Sequence, residues 1–144
     1  MEHRYAKEII DTPLSAAELA AFAQHSGLSG QLGIEITYVA RDRVEGFVDV
    51  GEQHHQPAGV ANGGLYCSVG ETLGSVGAIA AAGKPAVGMN NNTDLLGSVV
   101  SGRVEAVAVP VHVGTSTHLW RIEMRHGGKL VATTNLKVMV LDRR

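Results

Sequence analysis

Apolar and polar residues alternate in two parts of this chain, and a long apolar run separates them. From Gly33 to Ala40, Ile34, Ile36 and Tyr38 alternate with Glu35 and Thr37. After a turn at Arg41-Asp42, Val44, Gly46, Val48 and Val50 alternate with Arg43, Glu45 and Asp49. A period of two marks strands with one buried face, so this region is predicted to be a hairpin. The C-terminal third repeats the pattern over 103–113 and 117–125, then, after a His126-Gly127-Gly128-Lys129 turn, over 130–141. Three successive antiparallel strands are expected there, with Pro110, which cannot donate to a ladder, at an edge or a bulge. A further strand is predicted over 86–95, which carries the polar triplet Asn90-Asn91-Asn92. Near the start, Ser15 followed three residues later by Glu18 predicts a short capped helix over about 15–27, stopped by Gly27.

The apolar run, residues 63 to 83, holds a single charged side chain, Glu71. As a helix of about twenty residues it would be ~30 Å long. Gly70, Gly74 and Gly77 each weaken it by ~1 kcal/mol relative to Ala, so close packing against another backbone must offset them. Its length also suits a membrane span, but a carboxylate at mid-segment costs about 2.5 to 3.5 kcal/mol there. One helix laid across an antiparallel sheet covers both apolar surfaces, which predicts an α+β fold and no membrane partner.

The chain has 144 residues, 44% hydrophobic and 18% charged, with Lys+Arg 12 against Asp+Glu 14. That suits one folded domain over residues 1–144 and leaves no basic field for nucleic acid. A single cysteine, Cys67, excludes an internal disulfide framework. The first residues contain no apolar leader, so a reducing, cytoplasmic setting is expected, and the glycosylation-like Asn91-Asn92-Thr93 reads as incidental.

Candidate chemistry centres on Glu71. On a helix, Ser68, Glu71 and Ser75 form a narrow polar stripe, while Leu65, Val69, Thr72 or Leu73, Val76 and Ile79 would sit on the sheet. A carboxylate held from water with no Lys or Arg within a turn is expensive unless it has a function. Upstream, Gln56 to Gly64 forms a Gly-rich loop entering the helix, whose first N–H groups are unpaired and suit an oxyanion. Those N–H groups and Glu71 are too far apart to hold one atom unless a second subunit supplies one of them. His54-His55 lacks a third ligand at a metal-site spacing and reads as a solvated loop pair. Cys67 reads as a core thiol. No metal or cofactor is called for.

These elements in this order resemble the hotdog fold, an antiparallel sheet wrapped around one long helix. The segment GVANGGLYCSVGETLGSVG is similar to the active-site segment of the phenylacetate-type acyl-CoA thioesterases, close to the 4-hydroxybenzoyl-CoA and 1,4-dihydroxy-2-naphthoyl-CoA thioesterases. The resemblance implies hydrolysis of an acyl-CoA carrying an aromatic or medium-chain acyl group. Glu71 would be nucleophile or general base, the Gly63 N–H the oxyanion donor, and Gln56 the group that orients the carbonyl or water. Ser75 would bond within the pocket, and Gly64, Thr115 and Ser116 would contact substrate. It also implies a homo-oligomer, a dimer at least and a tetramer by analogy, with Gln56 and Gly63 facing the partner's Glu71. Two residues depart from the family pattern. Asn62 stands where His is usual, and Gly97 where an Arg often meets a CoA phosphate, which leaves Arg103, Arg143 or Arg144 for that task. Asn62 keeps two other readings open, a non-catalytic acyl-CoA-binding protein and an acyl-thioester hydratase or dehydratase.

Overall fold

The computed structural model describes residues 4–24 and 27–142. Six antiparallel strands form one sheet: β1 (Glu35–Ala40), β2 (Arg43–Val50), β3 (Ala86–Leu95), β4 (Gly102–Val113), β5 (Thr117–His126) and β6 (Lys129–Val140). Their order across the sheet is β1-β2-β4-β5-β6-β3. Two short helices, α1 (Ala16–Gln24) and α2 (Leu28–Gln31), precede the sheet, and α3 (Gly63–Ala82) lies across it, touching every strand. The α+β arrangement expected from the alternation is present, and in the hotdog form that the resemblance implied. The helix expected to run to Gly27 is described over Ala16–Gln24, residues 25–26 fall outside the described residues, and Gly27, in a positive-φ conformation, precedes α2, which was not foreseen.

The period-two pattern holds where it was strongest. On β5, His118, Trp120, Ile122 and Met124 are buried, and on β4, Val104, Ala106 and Ala108. β1 departs from it. Its pairing with β2 slips between Ile36 and Tyr38, so Val39 and Ala40 turn inward while Tyr38 stays half-buried under the Arg43 guanidinium. Pro110 sits at a register slip of β4 against β5, past the last residue that β2 pairs, where no ladder donor is demanded.

The helix glycines face the sheet. A Cβ at Gly70 would run into Thr134, at Gly74 would lie 2.6 Å from Leu136 Cδ2, and at Gly77 would lie 2.5 Å from Trp120 Cζ3. Close approach to the sheet therefore offsets their poor helix propensity. Asn62 caps α3, its Oδ1 accepting from Gly64 N at 2.7 Å, and Gly83 ends it in the left-handed conformation. α3 is also the one described helix long and apolar enough for a membrane span, yet it is mostly buried against the sheet.

The N-terminal arm, residues 4–24, is tied to this scaffold. Ile10 is fully buried, its N–H donating to Ala80 O and its carbonyl accepting from Arg41 N. Ser15 and Glu18 form the expected capping box. Glu18 also accepts two bonds from Arg4, and Tyr5 meets Phe22 edge-on at 4.9 Å.

Candidate active site

Glu71 lies in the third turn of α3, half-buried, with its carboxylate against β3. Asn91 Nδ2 donates to Oε2 at 3.2 Å and to the Cys67 carbonyl at 3.0 Å. The amide cannot flip freely, because Thr93 Oγ1 donates to Asn91 Oδ1 at 2.7 Å. With its proton so used, Thr93 accepts from Thr134 Oγ1, also at 2.7 Å. Oε1 rests on Gly88, where a Cβ would collide with it. Among the described residues no cation pairs with Glu71. A single neutral donor thus aims the carboxylate while leaving lone pairs free to attack carbon or take a proton.

A cavity of ≈ 860 Å³ runs along α3 from Glu71 past Ser75 to Ile79, walled by Ile34 and Ile36 and covered by the arm. A second depression, ≈ 590 Å³, opens on the side of Cys67, Ser68 and Asn91. Glu71 borders both. Ser68 and Thr72 turn their hydroxyls back onto the helix, to Gly64 O and Ser68 O, whereas the Ser75 hydroxyl has no partner among the described residues. Of the polar stripe, only Glu71 and Ser75 offer free polar groups to a ligand. Of the expected pair Thr72 or Leu73, Leu73 is the one buried on the sheet, and Thr72 and Ile79 border the cavity instead. Cys67 is half-buried beside Glu71, not in the core as expected.

The loop before α3 is pinned by Ala61 N to Val99 O and by Asn62 N to His54 O. His54 is 4% exposed, its Nδ1 accepting from Gly51 N and its Nε2 bonding Leu32 O, so the expected solvated pair is instead half structural. His55 bonds Val100 O. Gln56 is half-buried, with Oε1 accepting from Ala58 N. Gly64 N is taken by its cap, whereas Gly63 N, the first of the helix, has no acceptor among the described residues, and a Cβ at Gly63 would meet Leu95. Gly63 and Glu71 are eight residues apart, about 12 Å along the axis. Gln56, Asn62, Gly63 and Gly64 border neither cavity, so one protomer brings together Glu71 and Ser75 alone.

Thr115 and Ser116 are exposed in the β4–β5 connection, where Ser116 O accepts from Val140 N, near the C-terminal end of α3 and far from Gly63. Arg103 is not free for a phosphate: its guanidinium makes two bonds to Asp49, at 2.9 and 3.1 Å, and stacks 3.7 Å from the Phe47 ring centre. Arg143 and Arg144 lie outside the described residues.

Residues 58–133, which include the loop from Ala58 onward, all of α3 and the Asn91 strand, match the Thioesterase superfamily. The chain belongs to that superfamily. It is 35% identical over 135 residues to VC_A0580 of Vibrio cholerae, covering 92% of this chain and 89% of that one. A 1,4-dihydroxy-2-naphthoyl-CoA hydrolase of Listeria monocytogenes is 31% identical over 121 residues, 82% of this chain and 98% of its own. The solved thioesterase HI1161 of Haemophilus influenzae superposes with a TM-score of 0.82 at 30% identity, covering 94% of this chain and 96% of that one. Thioester hydrolysis is therefore the chemistry of this thioesterase at family level.

Residues of the candidate site beside Glu71 escaped the sequence reading, Asn91 and Gly88 among them. Asn91 stood out only as part of a polar triplet, and its spacing to Glu71 carries no signal because a β-strand and a helix meet there through the fold. Gly88 looked like one glycine among many. Its neighbour in space, the Glu71 carboxylate, explains it.

Proposed function

We propose that this thioesterase hydrolyses acyl-CoA to free acid and CoA, with an aromatic or medium-chain acyl group as substrate. Glu71 adds to the thioester carbonyl or takes a proton from the attacking water, and the Gly63 N–H of a second copy stabilises the oxyanion. Gln56 of that copy orients the carbonyl or the water, Ser75 bonds the bound substrate, and Thr115 and Ser116 meet the nucleotide. The observation that carries the reading is Glu71 itself: a carboxylate with no cation partner among the described residues, held by one neutral amide at the mouth of a largely apolar cavity. The separation of about 12 Å between Gly63 and Glu71 supports completion by a partner subunit. So does β3, an edge strand beside Glu71 whose Val87 and Met89 are each 48% exposed. Val107 and Val109, exposed on one face of β4, add a further apolar patch, which supports a tetramer.

The test is free-thiol release from a panel of acyl-CoAs by the purified protein. Glu71→Gln should lower kcat at least ~10²-fold, the low end for loss of a general base. Turnover near that of the unaltered protein would overturn the assignment, as would a stable monomer in sedimentation. Asn62, which spends its side chain on the Gly64 N–H and carries no titratable ring, favours a second reading as a silent acyl-CoA binder. Binding of acyl-CoA without thiol release would select it.

A further inference from the structure

The cavity beside Glu71 is not a simple cleft around the carboxylate. It continues two turns along α3, over Val76 to Ile79, and its other wall comes from the N-terminal arm through Tyr5, Leu19 and Phe22. Eight residues from Glu71 to Ile79 span about 12 Å. The volume of ≈ 860 Å³ lies within the ordinary range for a small-molecule site. Its polar groups are unevenly placed. Glu71, Thr72 and Ser75 stand at one end, and beyond them the walls are largely apolar, with Ser29, Glu35 and the Arg4-bonded Glu18 as the exceptions. No Lys, Arg or His is among the described residues that line it.

We propose that this slot between the arm and α3 receives the acyl group, and that the arm with Ile79 sets how long that group can be. This rests on the thioesterase reading above and narrows its substrate class to acyl groups without a carboxylate. A thioester whose carbonyl lies at Glu71 can point its acyl tail along the helix, because Thr72, Ser75 and Val76 leave the space open in that direction. Glu71 and Glu35 border this space with no cation among the described residues that line it, and Glu18 is already paired with Arg4, so the space disfavours a second negative charge and dicarboxylic acyl groups are rejected. Each methylene buried against these walls should raise kcat/KM about fourfold until the chain meets Ile79 and Leu19.

The experiment measures kcat/KM for acetyl-, butyryl-, hexanoyl-, octanoyl-, decanoyl- and phenylacetyl-CoA, with glutaryl-CoA set against pentanoyl-CoA. It compares the unaltered protein with Ile79→Trp, which plugs the far end, and Leu19→Ala, which widens the arm side. The proposal expects kcat/KM to rise with chain length, and the octanoyl-to-butyryl ratio to fall at least ~10-fold in Ile79→Trp and to rise in Leu19→Ala. It also expects glutaryl-CoA to be turned over at least ~10²-fold less efficiently than pentanoyl-CoA. Ratios that stay within twofold in both variants would overturn it while leaving the thioesterase reading intact. Should no acyl-CoA be hydrolysed, the same series of non-hydrolysable S-alkyl-CoA thioethers is measured by equilibrium binding. A chain-length dependence that shifts in Ile79→Trp would then uphold the slot without the hydrolysis, and a flat series would sink both. Because Leu19 is half-buried on an outer helix, Leu19→Ala keeps the comparison open if Ile79→Trp fails to fold.

Discussion

Replacing Gly88 with Ala should separate folding from catalysis. The new methyl group would meet Glu71 Oε1 and no other atom as closely. Ordinary contact begins near 3.4 Å, so the oxygen must retreat by about 1 Å. The Asn91 bond to the same carboxylate is already 3.2 Å long and would be lost or redirected by that movement. A displacement of this size in a reacting group lowers the rate by about 10²-fold, or ~2.7 kcal/mol in the barrier. Stability should hardly change. The group that gives way is the free end of a half-buried side chain, the backbone at Gly88 is not in the left-handed region, and Ala suits a strand better than Gly by roughly 0.5–1 kcal/mol. Steady-state kcat with a saturating acyl-CoA and the thermal midpoint, measured on one preparation, test both halves. A kcat within threefold of the unaltered enzyme would refute the claim that carboxylate position is the limiting feature. A large fall in the midpoint would show that the strand, not the side chain, yields.

Asn91→Leu removes the donor to Glu71 and should lower kcat about tenfold with KM within twofold, as a hydrogen bond to a charged group is worth ~1.5–3 kcal/mol. Thr93→Val should give a smaller fall in the same direction, since Thr93 acts only by orienting that amide. A rise in KM at constant kcat would contradict both. Gly77→Ala gains ~1 kcal/mol in helix propensity but drives a Cβ to 2.5 Å from Trp120 Cζ3, and overpacking of a core costs about 1–3 kcal/mol. The urea midpoint should therefore fall, and a rise would mean the helix is free to lift. The arm should respond to acid. Arg4 and the Ser15 N–H hold the Glu18 carboxyl down to about 2, so its contribution is complete above the ordinary carboxylate range and is lost as pH falls through about 2. Hydrogen-exchange protection of residues 4–24 should drop over that interval, and Glu18→Gln should remove the dependence.

Much of the fold could be read from periodicity because strands with one wet face must alternate, and β2, β4 and β5 do so in their buried stretches. β1 misled because a slip between Ile36 and Tyr38 exchanges its faces, and nothing local in ITYVA announces a bulge. The long helix was legible from its single charge, and its glycines implied a close neighbour without saying which: Thr134, Leu136 and Trp120 come from strands far along the chain from the glycines they meet. The candidate acid was visible for the same reason. The residues that aim it were not, since Asn91, Thr93 and Thr134 meet Glu71 only through sheet order. The arm was capped as expected at Ser15 and Glu18, but its second bond, from Glu18 to Arg4, spans fourteen residues and has no sequence signature. Arg103 and His54 were misjudged because a side chain's availability depends on who else reaches it.

The two sides of α3 answer to different constraints. Along the sheet, bare backbone at Gly70, Gly74 and Gly77 meets bulky strand residues, and there is almost no room for change. On the opposite side, Thr72, Ser75 and Ile79 border space rather than protein, so alterations there move few packed atoms. An ancestor could thus acquire new substrates by editing one side of a rod while the other continued to anchor it, which makes this helix a natural unit for diversification and for deliberate redesign.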